Sequence, residues 1–262
     1  MCTVCTVKYL TRSMKEKQLE FQHGAILALG YTFGRRSLLA RMERTELGDT
    51  AHEQEGDWSL YTETVELILS QLDHSNSLIV SAACLSLAEL ARTGPLPLAS
   101  DRKLSLIQRL LGLVKSSKTN IRLRERAALA AGSLCLGDLK FPHRRTLLES
   151  FLDLASDIKD IELHFSIGEA LVFCSLGVRS PAARDLWSVE EGDFAPLDTA
   201  HEQEGEELDW LVSQLTGKLT RSTQPSVKQA SCLWLLAVVK HCISQSQVRI
   251  LSKENLIVIC ID

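Results

Sequence analysis

A chain of 262 residues with 45% hydrophobic side chains has ample material for a core, and with only 5% aromatics that core must be Leu, Ala, Val and Ile. The bias favours packed helices over sheets, whose strands prefer aromatic and β-branched residues. A net charge of −4 and a pI near 6.0 argue against general attraction to nucleic acid or anionic membranes.

In chain order, residues 1–12 are expected to be an unstructured start. Cys2 and Cys5 form a CxxC half-motif with no second CxxC and no His pair at finger spacing, so they read as incidental thiols. MCTVCTVKYL lacks the basic-then-apolar layout of a signal peptide. The longest apolar run, CLWLLAVV at 232–239, falls far short of a membrane span. A soluble intracellular protein is the expectation.

A lone helix is predicted over 13–34, then a loop insertion over 35–57. Four helix-turn-helix units follow near 58–93, 101–137, 142–177 and 206–243, with a second insertion over 178–205 and a truncated end at 251–262. The first helices are LYTETVELILSQL (60–72), DRKLSLIQRLLGLVKS (101–116), RRTLLESFLDLAS (144–156) and ELDWLVSQLTGKL (207–219). The second helices, with the lone one, share a pattern: FQHGAILALG (21–30), IVSAACLSLAEL (79–90), LRERAALAAGSL (123–134), LHFSIGEALVFC (163–174) and VKQASCLWLLAV (227–238). Each opens on an apolar residue, places small residues at the fifth or sixth position, and continues with apolar ones. Small residues at helical spacing let backbones approach closely, as stacked helices require. Asp101 and Thr119 or Asn120 suit N-caps; Gly94 and Gly177 suit C-terminal stops. Nothing alternates with period two long enough to be a strand. The fold class expected is all-α, an α-α superhelix of the HEAT/armadillo-like solenoid kind.

The pattern opens at residues 21, 79, 123, 163 and 227, giving intervals of 58, 44, 40 and 64. The middle two lie in or beside the roughly 40–47 residues of HEAT-type repeats. Each long interval contains one copy of DTAHEQEG, at 49–56 and 198–205. The shared phase assigns the octapeptide to loops between repeats.

That octapeptide begins like a zincin, but a zincin needs His-Glu-x-x-His with both His on one helix face. Gly56 and Gly205 stand where the second ligand belongs. Asp49, His52, Glu53 and Glu55, or Asp198, His201, Glu202 and Glu204, read as solvated acidic loops. No Gly-x-Ser-x-Gly elbow or phosphate-cradling Gly-rich loop occurs. His23, His143, His164 and His241 lack a matched carboxylate, and Cys84, Cys135, Cys174, Cys232 and Cys242 read as small hydrophobes of apolar helices. No catalytic residue, metal site, cofactor or small-molecule substrate is expected.

Charge supplies the candidate partner contacts. Lys115, Lys118, Arg122, Arg124 and Arg126 gather around the turn joining the helices of the second unit, with Glu125 the single acid among them. They suit an acidic partner, Arg124 also holding a ladder-forming position of the repeat. Residues 188–217 carry nine acids and no Lys or Arg, including Glu190, Glu191, Asp193, Glu206 and Glu207; mutual repulsion is expected to keep much of this stretch disordered, and its charge suits a docking tail for a basic partner. Trp58, Trp187 and Trp210 flank these loops as packing anchors.

TNIRLRERAALAAG (119–132), GDLKFPHRRTLLESF (137–151), DIELHFSIGEAL (160–171), SPAARDLW (180–187) and PSVKQASCLWLL (225–236) resemble the proteasome adaptor and scaffold family, very large HEAT-repeat proteins that bind proteasomes. The resemblance runs in register over roughly residues 12–250. It implies a non-catalytic scaffold or adaptor that binds the proteasome and links it to other proteins or compartments. It also implies a cytoplasmic and nuclear location, with peripheral association with endosomes, endoplasmic reticulum or centrosome through partners. The family's members are several times longer, and MCTVCTVKYL and NLIVICID depart from them, so an internal fragment or partial gene product is expected. The alternative is a HEAT-repeat adaptor for other cargo, of the transport-receptor or microtubule type.

Overall fold

A computed structural model of the chain describes residues 3–14, 18–46, 54–138, 140–177 and 201–243. Helices account for the elements of these residues, and no strand occurs among them. The first two are α1 (Thr3–Ser13) and α2 (Leu19–Glu46). Next come α3 (Gln54–Ser70), α4 (Ser77–Thr93), α5 (Ser100–Lys115) and α6 (Ile121–Ser133). The series ends with α7 (Arg144–Leu152), α8 (Ile161–Leu176), α9 (His201–Gln214) and α10 (Pro225–Ile243).

The arrangement is a ladder. Helix α2 packs on α4, α4 on α6, α6 on α8, and α8 on α10. Helices α3, α5 and α7 lie against α4, α6 and α8 respectively. The core runs without interruption from Val7 to Val238, and Ile79, Leu87, Ile107, Phe151, Ile167 and Trp234 lie within it fully shielded from solvent.

Small residues make the rungs. A Cβ placed on Gly132 of α6 would come within 2.7 Å of the Ala170 Cα on α8. One placed on Gly30 of α2 would meet the Ser86 Cβ at 2.5 Å. Ser86 uses the same close approach to donate its hydroxyl to the Ile26 carbonyl at 2.8 Å. On α10 the Trp234 indole N–H donates to the His164 carbonyl of α8 at 3.1 Å. Gly168 supplies the space beside that indole, its Cβ position lying 3.3 Å from the Trp234 ring.

The ends of the helices follow local chemistry. Asn76 and Asn120 cap α4 and α6 by accepting from Leu78 and Leu123 N–H at 2.9 and 2.8 Å. Gly177 closes α8 at φ 53°, in the left-handed region that glycine tolerates without strain. Gly94 follows α4. Asp101 is not a cap: α5 begins at Ser100 with Ala99 as its N-cap, and Asp101 sits in the first turn, where a carboxylate complements the helix dipole. Beyond α9, Leu215–Leu219 form one π-helical turn. There the Leu215 carbonyl accepts from Thr220 N–H at 3.0 Å and from the Ser231 hydroxyl at 3.0 Å.

Three boundaries differ from the sequence reading. The start expected to be unstructured contains α1, which lies on α2 and buries Val7, with Met14 buried just beyond its end. The loop expected at 35–57 is helical to Glu46 and again from Gln54. The octapeptide is therefore not wholly loop: its residues from Gln54, and from His201 in the second copy, begin α3 and α9. Residues 49–53 and 198–200, with 178–197 and the end at 251–262, lie outside the described residues.

Glycines in contrasting settings test the ladder. Gly132→Val should destabilise the chain by about 1–3 kcal/mol, since the new side chain meets backbone. Gly112→Ala on α5, whose Cβ would meet nothing within 4 Å, should be neutral or stabilise by up to about 1 kcal/mol. Urea unfolding midpoints of the two variants check both.

Candidate docking surface

The basic cluster divides in two. Arg124 is 9% exposed; its Nε donates to the Val114 carbonyl at 2.8 Å and its Nη1 to Asp160 Oδ2 at 2.7 Å. One guanidinium thus fastens the end of α5, α6 and the Asp160 that precedes α8. Arg126 donates from Nη1 to the Ser81 hydroxyl on α4 at 2.5 Å. Both side chains are structural. Lys115, Lys118 and Arg122 are exposed and form no ion pair among the described residues.

The acidic candidates divide likewise. Glu207 lies 2.8 Å from Arg145 Nη2, and the Arg145 guanidinium stacks 4.0 Å from the centroid of Trp210. Glu207 and Trp210 therefore join α9 to α7, and the packing role expected of Trp210 holds. Glu206 is exposed. Glu190, Glu191 and Asp193, with Trp187, lie outside the described residues, and for Trp58 the backbone alone is described.

Further ion pairs stitch the first helices. Arg102 holds Glu66 with both guanidinium nitrogens, Nη2 reaching Oε2 at 2.8 Å, and this keeps the Glu66 carboxyl below its ordinary range. Arg109 pairs with Asp73. Lys103 reaches Asp138 at 2.6 Å and lies over the Phe141 ring.

The pairing closest to catalytic geometry is Ser100 with His143, whose Nε2 lies 3.0 Å from the hydroxyl and 2.8 Å from the Ser100 carbonyl. The carbonyl can only accept, so Nε2 carries the proton. A nitrogen in that state cannot take the serine proton as a base. The pair clamps the α6–α7 connection to the start of α5.

His164 sits inside the joint between α8 and α10. Its Nε2–H donates to the Ile158 carbonyl at 3.1 Å, and its ring meets the Trp234 ring edge-on at 5.6 Å. Its Nδ1 has no hydrogen-bond partner among the described residues. Burial pushes its pKa below the ordinary 6.5, against the opposing pull of the Ile158 carbonyl and the Asp160 carboxylate.

Cys84, Cys135 and Cys174 are buried free thiols, as small hydrophobes should be, whereas Cys232 is exposed. Burial raises Cys84 to about 12 and Cys174 well above its usual value, with Cys135 adding to the rise. Cys242 lies in α10, its side chain outside the described residues. No group of three or more His, Cys, Asp or Glu suited to a metal ion occurs among the described residues.

Sequence reasoning missed the exposed apolar side chains of the second helices. Leu78 on α4 is 58% exposed, Ile161 and Phe165 on α8 are 50% and 48% exposed, and Leu236 on α10 is 55% exposed. Phe21 and Tyr31 on α2 are exposed as well. In sequence they look like further core residues of apolar helices. The available signal was phase, since Leu78 and Ile161 each precede the buried opening residue of the repeat pattern, Ile79 or Leu163, by one or two positions.

A family model described as ECM29, ARM-like repeats, matches residues 3–90, including the start that the sequence reading set outside the family. The Proteasome adapter and scaffold protein ECM29 of Homo sapiens is 35% identical over 259 residues, covering 95% of this chain and 14% of that protein. The Proteasome-associated protein ECM29 homolog of Drosophila melanogaster is 26% identical over 270 residues, covering 94% of this chain and 13% of that protein. The chain thus spans about one seventh of the length of these relatives. Among solved structures, an engineered protein aligns at a TM-score of 0.43 with 16% identity, covering 90% of this chain and 97% of that one.

Two measurements separate structural from surface charge. Arg124→Gln should destabilise by about 2 kcal/mol, because it removes a charged donor from a buried carbonyl and from Asp160. Arg122→Gln should stay within about 0.5 kcal/mol of the parent. For His164, the fold favours the neutral ring, so its contribution to stability is complete above pH 6.5 and is lost as pH falls from there towards the depressed folded value. Denaturation midpoints recorded from pH 7.5 downwards should fall less steeply in His164→Gln than in the parent.

Proposed function

We propose that this chain, homologous to the ECM29 proteins, is a non-catalytic scaffold segment that binds the proteasome and links it to other proteins. The single observation that carries this reading is the alignment of 95% of the chain with a protein named for proteasome adapter and scaffold work. The ladder suits the role. Stacked units bury a continuous core and leave an extended surface for partners, in keeping with the way repeat arrays work. Its charged residues fit the same division, some fastening helices and others facing solvent. Nucleic acid and small-molecule substrates have no part in this reading. Its place of action is the cytoplasm and nucleus, reaching endosomes, endoplasmic reticulum or centrosome through partners.

Co-sedimentation with purified 26S proteasome tests the proposal, with the full-length human relative as the reference. The chain should pellet with the proteasome in a saturable manner and be displaced by excess relative. Binding by the relative with none by this chain would overturn the contact assigned to this segment, and binding by neither would overturn the proteasome reading itself.

A further inference from the structure

We infer that the N-terminal rim of the second helices, centred on the α5–α6 turn, is a docking site for an extended acidic peptide segment with an apolar residue at each end. The first observation is a set of cations that the fold does not use. Of the five basic residues around this turn, Arg124 and Arg126 are hydrogen-bonded to neighbouring helices. Lys115, Lys118 and Arg122 face solvent with no ion pair among the described residues.

Arg122 is also badly placed for helix stability. It stands in the first turn of α6, which contains no acid, and a cation there opposes the positive end of the helix dipole. Lys118 precedes the same helix end and adds to the opposition. Neither fold stability nor the overall charge of −4 accounts for this concentration of positive charge. A negative partner does.

The second observation is the apolar flank. Leu78 is the second residue of α4, Arg122 the second of α6, and Ile161 the first of α8. The three helices are consecutive rungs of the ladder, so their first turns form one edge on which Leu78 and Ile161 bracket the basic centre. Both are at least half exposed, and Phe165, one turn along from Ile161, widens the second apolar position. With neighbouring helix axes about 8–10 Å apart, the two apolar positions are separated by roughly 16–20 Å. An extended strand covers that distance in about five or six residues. The occupant is therefore a peptide with two apolar side chains about five or six residues apart and carboxylates between them. This inference stands apart from the proteasome reading, since it specifies a chemistry and no particular protein.

The probe is a fluorescein-labelled peptide with two leucines about six residues apart around a run of glutamates, titrated with the chain and followed by fluorescence polarisation. The peptide should bind saturably, and the double variant Lys118→Glu, Arg122→Glu should weaken it about tenfold or more. The neutral pair Lys118→Gln, Arg122→Gln should weaken it less, and Leu78→Ser should weaken it about threefold or more. A peptide with lysines in place of the glutamates should not bind. Circular dichroism of each variant should match the parent and melting should not fall, since every substituted side chain is exposed; the charge-reversed pair should melt slightly higher, because it removes cations from the positive end of α6.

Absence of binding by the parent would overturn the inference, as would equal binding by the charge-reversed variant. Indifference to Leu78→Ser would remove the apolar flank and with it the site as specified. Stronger binding of a single-stranded oligonucleotide or of phosphatidylserine vesicles to the same residues would assign the rim to those ligands. The assay contains no proteasome, so failure of co-sedimentation leaves this inference intact, and its own failure leaves the scaffold reading intact.

Discussion

The structure depends on how closely consecutive second helices approach. Gly132 lies against Ala170 and Gly30 against Ser86 with no room for a further methyl group. At that separation the hydrogen-bonding groups of one helix come within reach of the next. Ser86 binds the Ile26 carbonyl and Trp234 binds the His164 carbonyl, contacts that longer interhelical distances would forbid. Where a large side chain does enter a rung, as Trp234 does between α8 and α10, Gly168 makes room for it. Charged side chains join neighbouring units as well, Arg102 with Glu66, Arg124 with Asp160 and Arg145 with Glu207.

That arrangement explains the two kinds of charged residue. Arg124 and Arg145 each tie together segments distant in sequence, through Asp160 and Glu207. Their long side chains span gaps between units that the small residues of the ladder cannot reach. Lys118 and Arg122 have no such task, although they stand in the same stretch of sequence. The octapeptide belongs with neither group. Its second His is missing, its described residues begin helices, and its identity in two places marks the long intervals of the array without supplying a chemical centre.

Much of this architecture was legible in the sequence because the repeat pattern is itself a packing requirement. Ala127, Ala128, Ala130, Ala131 and Gly132 are small for the reason that makes them buried. Asn120 and Gly177 were equally readable, since a cap and a left-handed stop are local chemistry. The failures have a common origin in partners distant along the chain. Whether Arg124 is structural depends on Asp160, and whether Glu207 is paired depends on Arg145. Helix α1 was missed because its apolar residues gain burial only against α2. Leu78 and Leu236 were missed for the converse reason: an apolar residue is indistinguishable from a core residue until the neighbouring rung fixes which way it faces.

Amide hydrogen exchange of the intact chain tests the central claim, that the second helices form one continuous cooperative ladder. Strong interfaces between repeats couple their opening, whereas weak ones let each unit open alone. The account predicts that the mid-helix amides of α4, α6 and α8 exchange with a common opening free energy equal to that of global unfolding. Distinct opening free energies for these helices, with α6 exchanging while α4 and α8 remain protected, would contradict it.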